Sequence, residues 1–330
     1  MSIYFSVRSN RFRGFVAAVS TLVAQASLQV LFLAIVLIPI GVAFAAGPGN
    51  TSRVGHAGRL ERSEPLLIQG ERNKVYRNLR ISNPDGPCIV IQNSVNIRII
   101  NSRLGPCREQ AIDAYEVDGL KVVLNSMINV GSGVHVLESQ HVLVSRNKFV
   151  NAGRNMVQFD KVTGPGNRIT RNRGSNRLGN TVSEDLINVY QSSGTAQSPI
   201  RVTYNRLRNG GSSKSGSGIM VGDGGGAWQL VAYNTLVNPG QAGIGVASGT
   251  HIDVIANRVY QRALPWSNVG IYVWNQYAEN CSSIRIIQNE VDWRNAGGVR
   301  NGWWDSESCD RLRVRDNHFE ARLSARIFKH

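Results

Sequence analysis

A short unit of alternating apolar residues, ending at a small polar residue, recurs along most of this chain and restricts what it can fold into. The stretch GVHVLESQHVLVSRNKF (133–149) shows the unit plainly. Val134 and Val136 alternate with His135 and Leu137, a polar corner follows, HVLVS alternates again, and Asn147 turns the chain into KF. Alternation over runs this short, between polar corners, is the signature of strands and not of helices. The polar marker returns as Ser102, Ser126, Asn147, Asn172, Asn205, Asn234, Asn257, Asn289 and Asn317, at intervals of roughly 21–33 residues. A strand opening on a small or apolar residue follows each of the first eight, AIDAY, GVHVL, MVQFD, LINVY, GIMVG, GIGVA, GIYVW and GVRNG, and CIVIQ at 88 precedes the first.

Two markers advancing together at that interval predict a solenoid. One coil of three short strands cannot bury its apolar face, but stacked coils can, each strand pairing in parallel with its equivalent about 4.8 Å away. Val, Ile and Leu then point inward. Asn at a corner tolerates left-handed backbone and can stack into a hydrogen-bonded ladder. On these repeats the chain resembles the right-handed parallel β-helix proteins, the pectate-lyase-like fold, over roughly residues 66 to 323. The expected fold class is all-β, a right-handed parallel β-helix solenoid of about nine to ten coils.

The expected organisation has three parts. Residues 1–45 read as a signal peptide or an N-terminal membrane anchor. Arg8, Arg11 and Arg13 precede a long apolar run ending at Ala43-Phe44-Ala45, and no further charge appears until Arg53. About 17–20 apolar residues also suffice for an uncleaved span. Residues 46–64 read as a flexible basic leader, and 65–330 as the β-helix domain. Either reading of the N-terminus makes the protein exported, periplasmic or secreted, with membrane contact only if the segment stays uncleaved. The formal charge of +15 suits a polyanionic partner such as acidic polysaccharide, and export makes nucleic acid an unexpected one.

The cysteines form two close pairs, Cys88 with Cys107 and Cys281 with Cys309, expected as disulfides. Cys281 and Cys309 each lie eight residues before a marker, Asn289 and Asn317, so the repeat stacks them in adjacent coils. Neither pair has the spacing of a zinc site, and no metal or cofactor is expected.

Aligned strands expose two outward rows. The first reads Val90, Asp113, His135, Gln158, Asn188, Met220, Gly245, Tyr272, Arg300. The second reads Gln92, Tyr115, Leu137, Asp160, Tyr190, Gly222, Ala247, Trp274, Gly302. Ionisable groups gather in the second to fifth strands. The resemblance implies uronate lyase or epimerase chemistry as one option. His135 would be the base, oriented by Asp113, with Tyr115 or Tyr190 as acid and Lys161 or Arg154 neutralising the sugar carboxylate. Hydrolysis is the other option, with Asp113 and Asp160 two coils, or about 9.6 Å, apart. Asn188, Tyr272 and Trp274 would contact substrate, the rings by stacking on sugars. The chain lacks the RxPxxR, DPHD and NTD…GHG…RIK motifs of known β-helix enzymes, so no catalytic residue transfers by motif. The sequence therefore points to an exported protein acting on polysaccharide, acidic or neutral, with an acidic glycan as the expected substrate of a lyase, epimerase or hydrolase. The alternative is a non-catalytic carbohydrate-binding or surface-structural solenoid.

Overall fold

The computed structural model describes residues 59–179, 182–277 and 280–329. Three strands make a coil, and each pairs in parallel with its equivalent in the next. Val157–Asp160 lies against Ile187–Tyr190, Arg168–Thr170 against Ile200–Thr203, and Arg173–Ser175 against Arg206–Arg208. The second strands form their own ten-stranded sheet. In the early coils the third strand runs straight into the first strand of the next coil, as in Arg103–Tyr115 and Ser126–Leu137.

The inward positions build the core. Ile89, Ile112, Val134, Val157, Ile187, Ile219, Ile244 and Ile271 pair in succession along the axis, and all are buried. Full burial of such a side chain contributes roughly 1.5–3 kcal/mol. No coil could secure this alone, because each ring of apolar side chains is capped by the rings above and below.

The corner ladder is internal. Asn205 Oδ1 accepts the backbone N–H of Asn172 and its Nδ2, both at 3.0 Å, while Asn205 Nδ2 donates to Ile169 O and Asn234 Oδ1. The same pattern joins Asn125, Asn147, Asn172, Asn205, Asn234, Asn257, Asn289 and Asn317. Two sequence expectations change here. Ser126 pairs with Lys148, so Asn125 is the ladder member in that coil. The left-handed residue is also not the Asn but the one before it, as at Arg171 (φ 56°), Tyr204 (φ 57°) and Tyr233 (φ 58°). Placing the strained residue first turns the following amide inward, where it satisfies the corner's backbone groups.

Both cysteine pairs are disulfides, Cys88–Cys107 and Cys281–Cys309. The second joins adjacent coils at a Cα separation of 4.7 Å, as equal offsets from the ladder require. The solenoid starts earlier than expected. Glu61–Ser63, within the segment assigned to a flexible leader, pairs with Leu79–Ile81. The remaining expectations for the N-terminal segment fall outside the described residues. At the other end, the 3₁₀ turn Ala325–Phe328 folds back, and Phe328 lies between the guanidinium groups of Arg173 and Arg208, 4.4 and 4.6 Å from its ring centre.

Candidate active site

The outward rows hold from Val90 to Tyr272 on the first and from Gln92 to Tyr190 on the second. Beyond that they change. Tyr272 pairs with Trp304, not Arg300. A bulge follows Met220, so Asp223 and not Gly222 stands opposite Tyr190. Gly222 adopts φ 61°, and a Cβ there would meet the carbonyl of Ser248 at 2.0 Å. Only glycine permits this turn, and the extra residue brings a carboxylate into the row.

The result is a cleft of about 260 Å³ whose chemistry rests on Asp160, Asp185, Asn188 and Asp223, with Arg154 and Glu184 at its edge. Asn188 organises it, its Nδ2 donating to Asp185 Oδ2 at 2.8 Å and to Asp223 Oδ2 at 2.7 Å. Asp185 Oδ1 accepts the backbone N–H of Ser217, and Asp223 Oδ1 accepts the Tyr277 hydroxyl. Burial pushes the Asp185 carboxyl up to about 7, against the lowering effect of the Asn188 and Ser217 donors. Asp160 is also raised by burial, opposed by the nearby His135 and Lys161. Burial and then the bond to Asp223 raise the Tyr277 phenol. Asp160 Oδ1 and Asn188 Oδ1 are buried acceptors that find no donor among the described residues.

The constellation expected around His135 is present as a separate array. His135 Nδ1 lies 2.7 Å from Asp113 Oδ1, and the Tyr115 hydroxyl donates to Asp113 Oδ2 at 2.6 Å. That bond, with burial, pushes the Tyr115 phenol up to about 12. Asp113 is thus committed to two neighbours and is not aimed at Asp160 as a partner carboxylate. Tyr190 lies between Asp160 and Asp223 on the second row, its ring packed where a Cβ on Gly224 would fall. The cations expected to meet a sugar carboxylate are paired already, Arg154 with Glu184 at 2.9 Å and Lys161 with Glu138 at 3.0 Å.

The rings expected to stack on sugars, Tyr272 and Trp274, differ in exposure. Tyr272 is buried, covering Gly245 and donating to Met220 Sδ, so it offers no open face. Burial raises its phenol strongly. Trp274 and Trp304 are exposed and meet edge to face at 6.1 Å. They line a second hollow of about 390 Å³ together with Gln241, Asn268 and Asn301, farther along the same outward face.

Two central residues, Asp185 and Asp223, escape the row alignment. Asp185 precedes its strand, at the position Asn155 holds one coil earlier, and Asp223 sits in a glycine-rich run that reads as a loop. Extending the alignment two residues ahead of each strand would have found the first. The second depends on a bulge that alternation cannot register. No group of three or more His, Cys, Asp or Glu among the described residues is arranged to hold a metal ion.

Comparison with known proteins places the architecture. The family described as the right handed beta helix region matches residues 66–257. No curated protein matches the chain. Among solved structures, the catalytic domain of a GH87 α-1,3-glucanase variant in complex with tetrasaccharides superposes with a TM-score of 0.46 at 12% identity, covering 79% of this chain and 61% of that one. A DFA-IIIase variant from Arthrobacter chlorophenolicus A6 gives 0.38 at 12% identity, covering 66% and 57%. The catalytic unit of a GH87 α-1,3-glucanase from Streptomyces thermodiastaticus strain HF3-3 gives 0.37 at 10% identity, covering 78% and 63%. The chain thus spans roughly three fifths of the length of each of these structures. By the extent of the family match, the chain belongs to the right-handed β-helix family.

Proposed function

We propose that this protein is a glycoside hydrolase acting on a neutral polysaccharide, with Asp185 as the general acid. One observation carries the reading: Asn188 holds Asp185 and Asp223 by a single amide, while burial raises the Asp185 carboxyl to about 7. Glycoside hydrolysis needs a carboxylic acid to protonate the leaving oxygen and a carboxylate on the other side. Asp185 meets the first requirement. Asp223 supplies the second, and Asp160 faces it across Tyr190. Asn188 acts as a positioning residue, and Tyr190 as a wall against which a ring can lie.

The charge of the cleft favours a neutral chain over an acidic one. Asp160 and Asp223 line it beside the acid Asp185, and its one arginine, Arg154, is already paired with Glu184. A uronate would bring another negative charge with no free cation to meet it. The open acceptors Asp160 Oδ1 and Asn188 Oδ1 suit sugar hydroxyl donors. Trp274 and Trp304 extend the face toward further sugar units. Two disulfides support export to an oxidising compartment.

The test is release of reducing ends from a panel of neutral α- and β-glucans and fructans, with polygalacturonate as the acidic control. Hydrolysis of a neutral polymer that Asp185→Asn abolishes is the expected result. Unsaturated products from polygalacturonate that require His135 would restore the uronate reading. No turnover on any polymer would favour the non-catalytic one.

A further inference from the structure

The face formed by the second strands breaks a rule that stacked sheets ordinarily obey. Like charges directly opposite one another in a sheet are destabilising, yet Arg98 pairs with Lys121, and Arg168 with Arg201. Lys121, Arg168 and Arg201 are exposed, and none of the four has an acidic partner among the described residues. The repulsion occurs at two pairs of one outward row, with Leu143 between them, as expected where a local rule yields to function. The adjoining corner adds flat rings. Arg171 lies over the Tyr204 ring at 5.3 Å, and Tyr204 stacks on Tyr233 at 5.1 Å with an interplanar angle of 12°. Both tyrosines are about half exposed.

We propose that this face binds an anionic polysaccharide lying along the solenoid axis, with Arg168 and Arg201 meeting its charges and Tyr204 and Tyr233 its ring faces. Unpaired cations one coil apart, in a line and not a broad patch, match a linear polymer with recurring anionic groups. The adjoining rings add contact that favours a sugar chain over a lipid surface. Disulfides belong to compartments where acidic glycans, not nucleic acids, are the abundant polyanions. The candidate cleft is acidic and lies on the first strands, so one molecule would hold an anionic matrix on one face and present its cleft to a neutral chain on another.

The experiment measures affinity of the full chain for polygalacturonate, dextran, single-stranded DNA and phosphatidylserine vesicles over a salt series. Polygalacturonate should bind best, with affinity falling as salt rises. The double variant Arg168→Gln, Arg201→Gln should lose at least about tenfold with a shallower salt dependence. Tyr204→Ala should weaken binding without changing the salt dependence. The pair Arg98→Gln, Lys121→Gln serves as an independent second variant, and thermal midpoints at or above that of the unsubstituted protein would show intact folding. Asp185→Asn should bind polygalacturonate unchanged, which separates this inference from the reading of the cleft. Undiminished binding by both double variants would overturn the proposal. So would equal or tighter binding of dextran, DNA or vesicles, or loss of binding in Asp185→Asn.

Discussion

Asn188 reaches across a coil boundary to donate from Nδ2 to Asp223 Oδ2 at 2.7 Å, at the point where the bulge at Gly222 resets the register. The same nitrogen holds Asp185 within its own coil. An apolar residue at 188 would leave two carboxylates without their shared donor. Asn188→Leu should reduce turnover of the substrate at least as much as the loss of a single charge-assisted hydrogen bond, about tenfold or more. Comparison of kcat with KM checks it, because a positioning residue affects kcat more than binding.

The glycine that makes the bulge should be as sensitive as the acids. Gly222→Ala places a Cβ against the Ser248 carbonyl and forces a side chain into φ 61°. The expected outcome is destabilisation of about 1–3 kcal/mol together with loss of activity, as Asp223 leaves the row. Thermal unfolding and reducing-end assays on the same preparation would show both.

Stability should depend on pH through Asp185. The unfolded carboxyl titrates near 3.8, whereas the folded one is raised to about 7. Between these values the unfolded chain has lost a proton that the folded chain retains. This contribution is therefore fully present below about pH 4 and is lost as pH rises through about 7. Asp185→Asn should flatten the profile and leave the protein more stable at pH 8 by up to a few kcal/mol. Denaturant unfolding of both proteins from pH 4 to 8 measures the difference.

The ladder makes a separate prediction. Asn234→Leu removes the acceptor for both Asn205 donors and the donor to Val202 O. With these groups buried, destabilisation of at least about 1–3 kcal/mol is expected. An unchanged thermal midpoint would contradict the internal ladder.

The fold was legible because its determinants are periodic. Val134 and Val136 point inward, and His135 points outward, as two-residue alternation dictates, and Asn147 or Asn234 announces each corner. Equal offsets from the ladder were enough to stack Cys281 on Cys309. Part of the site was legible for the same reason, since Asp113, His135, Asp160, Asn188 and Tyr190 lie on regular strands. What alternation cannot register is an irregularity. Asp223 enters the row through one inserted glycine, and Asp185 lies ahead of its strand. Tyr272 faces outward as expected but is covered, because Gly245 beneath it leaves room for the ring to lie flat. The pairing of Arg154 with Glu184 and of Lys161 with Glu138 joins equivalent positions one coil apart, each one residue beyond an aligned pair, Asn155 with Asp185 and Asp160 with Leu137, so it follows from the repeat once the alignment is carried past the strand ends.

The central claim is that Asp185, beside Asp223, keeps its proton far above the usual carboxylate range. The most direct measurement needs no substrate: a ¹³C NMR titration of the side-chain carboxyls, with Asp185 assigned by its disappearance in Asp185→Asn. The account predicts a midpoint near 7. A midpoint near 4 would show Asp185 ionised throughout the neutral range and contradict its role as the acid.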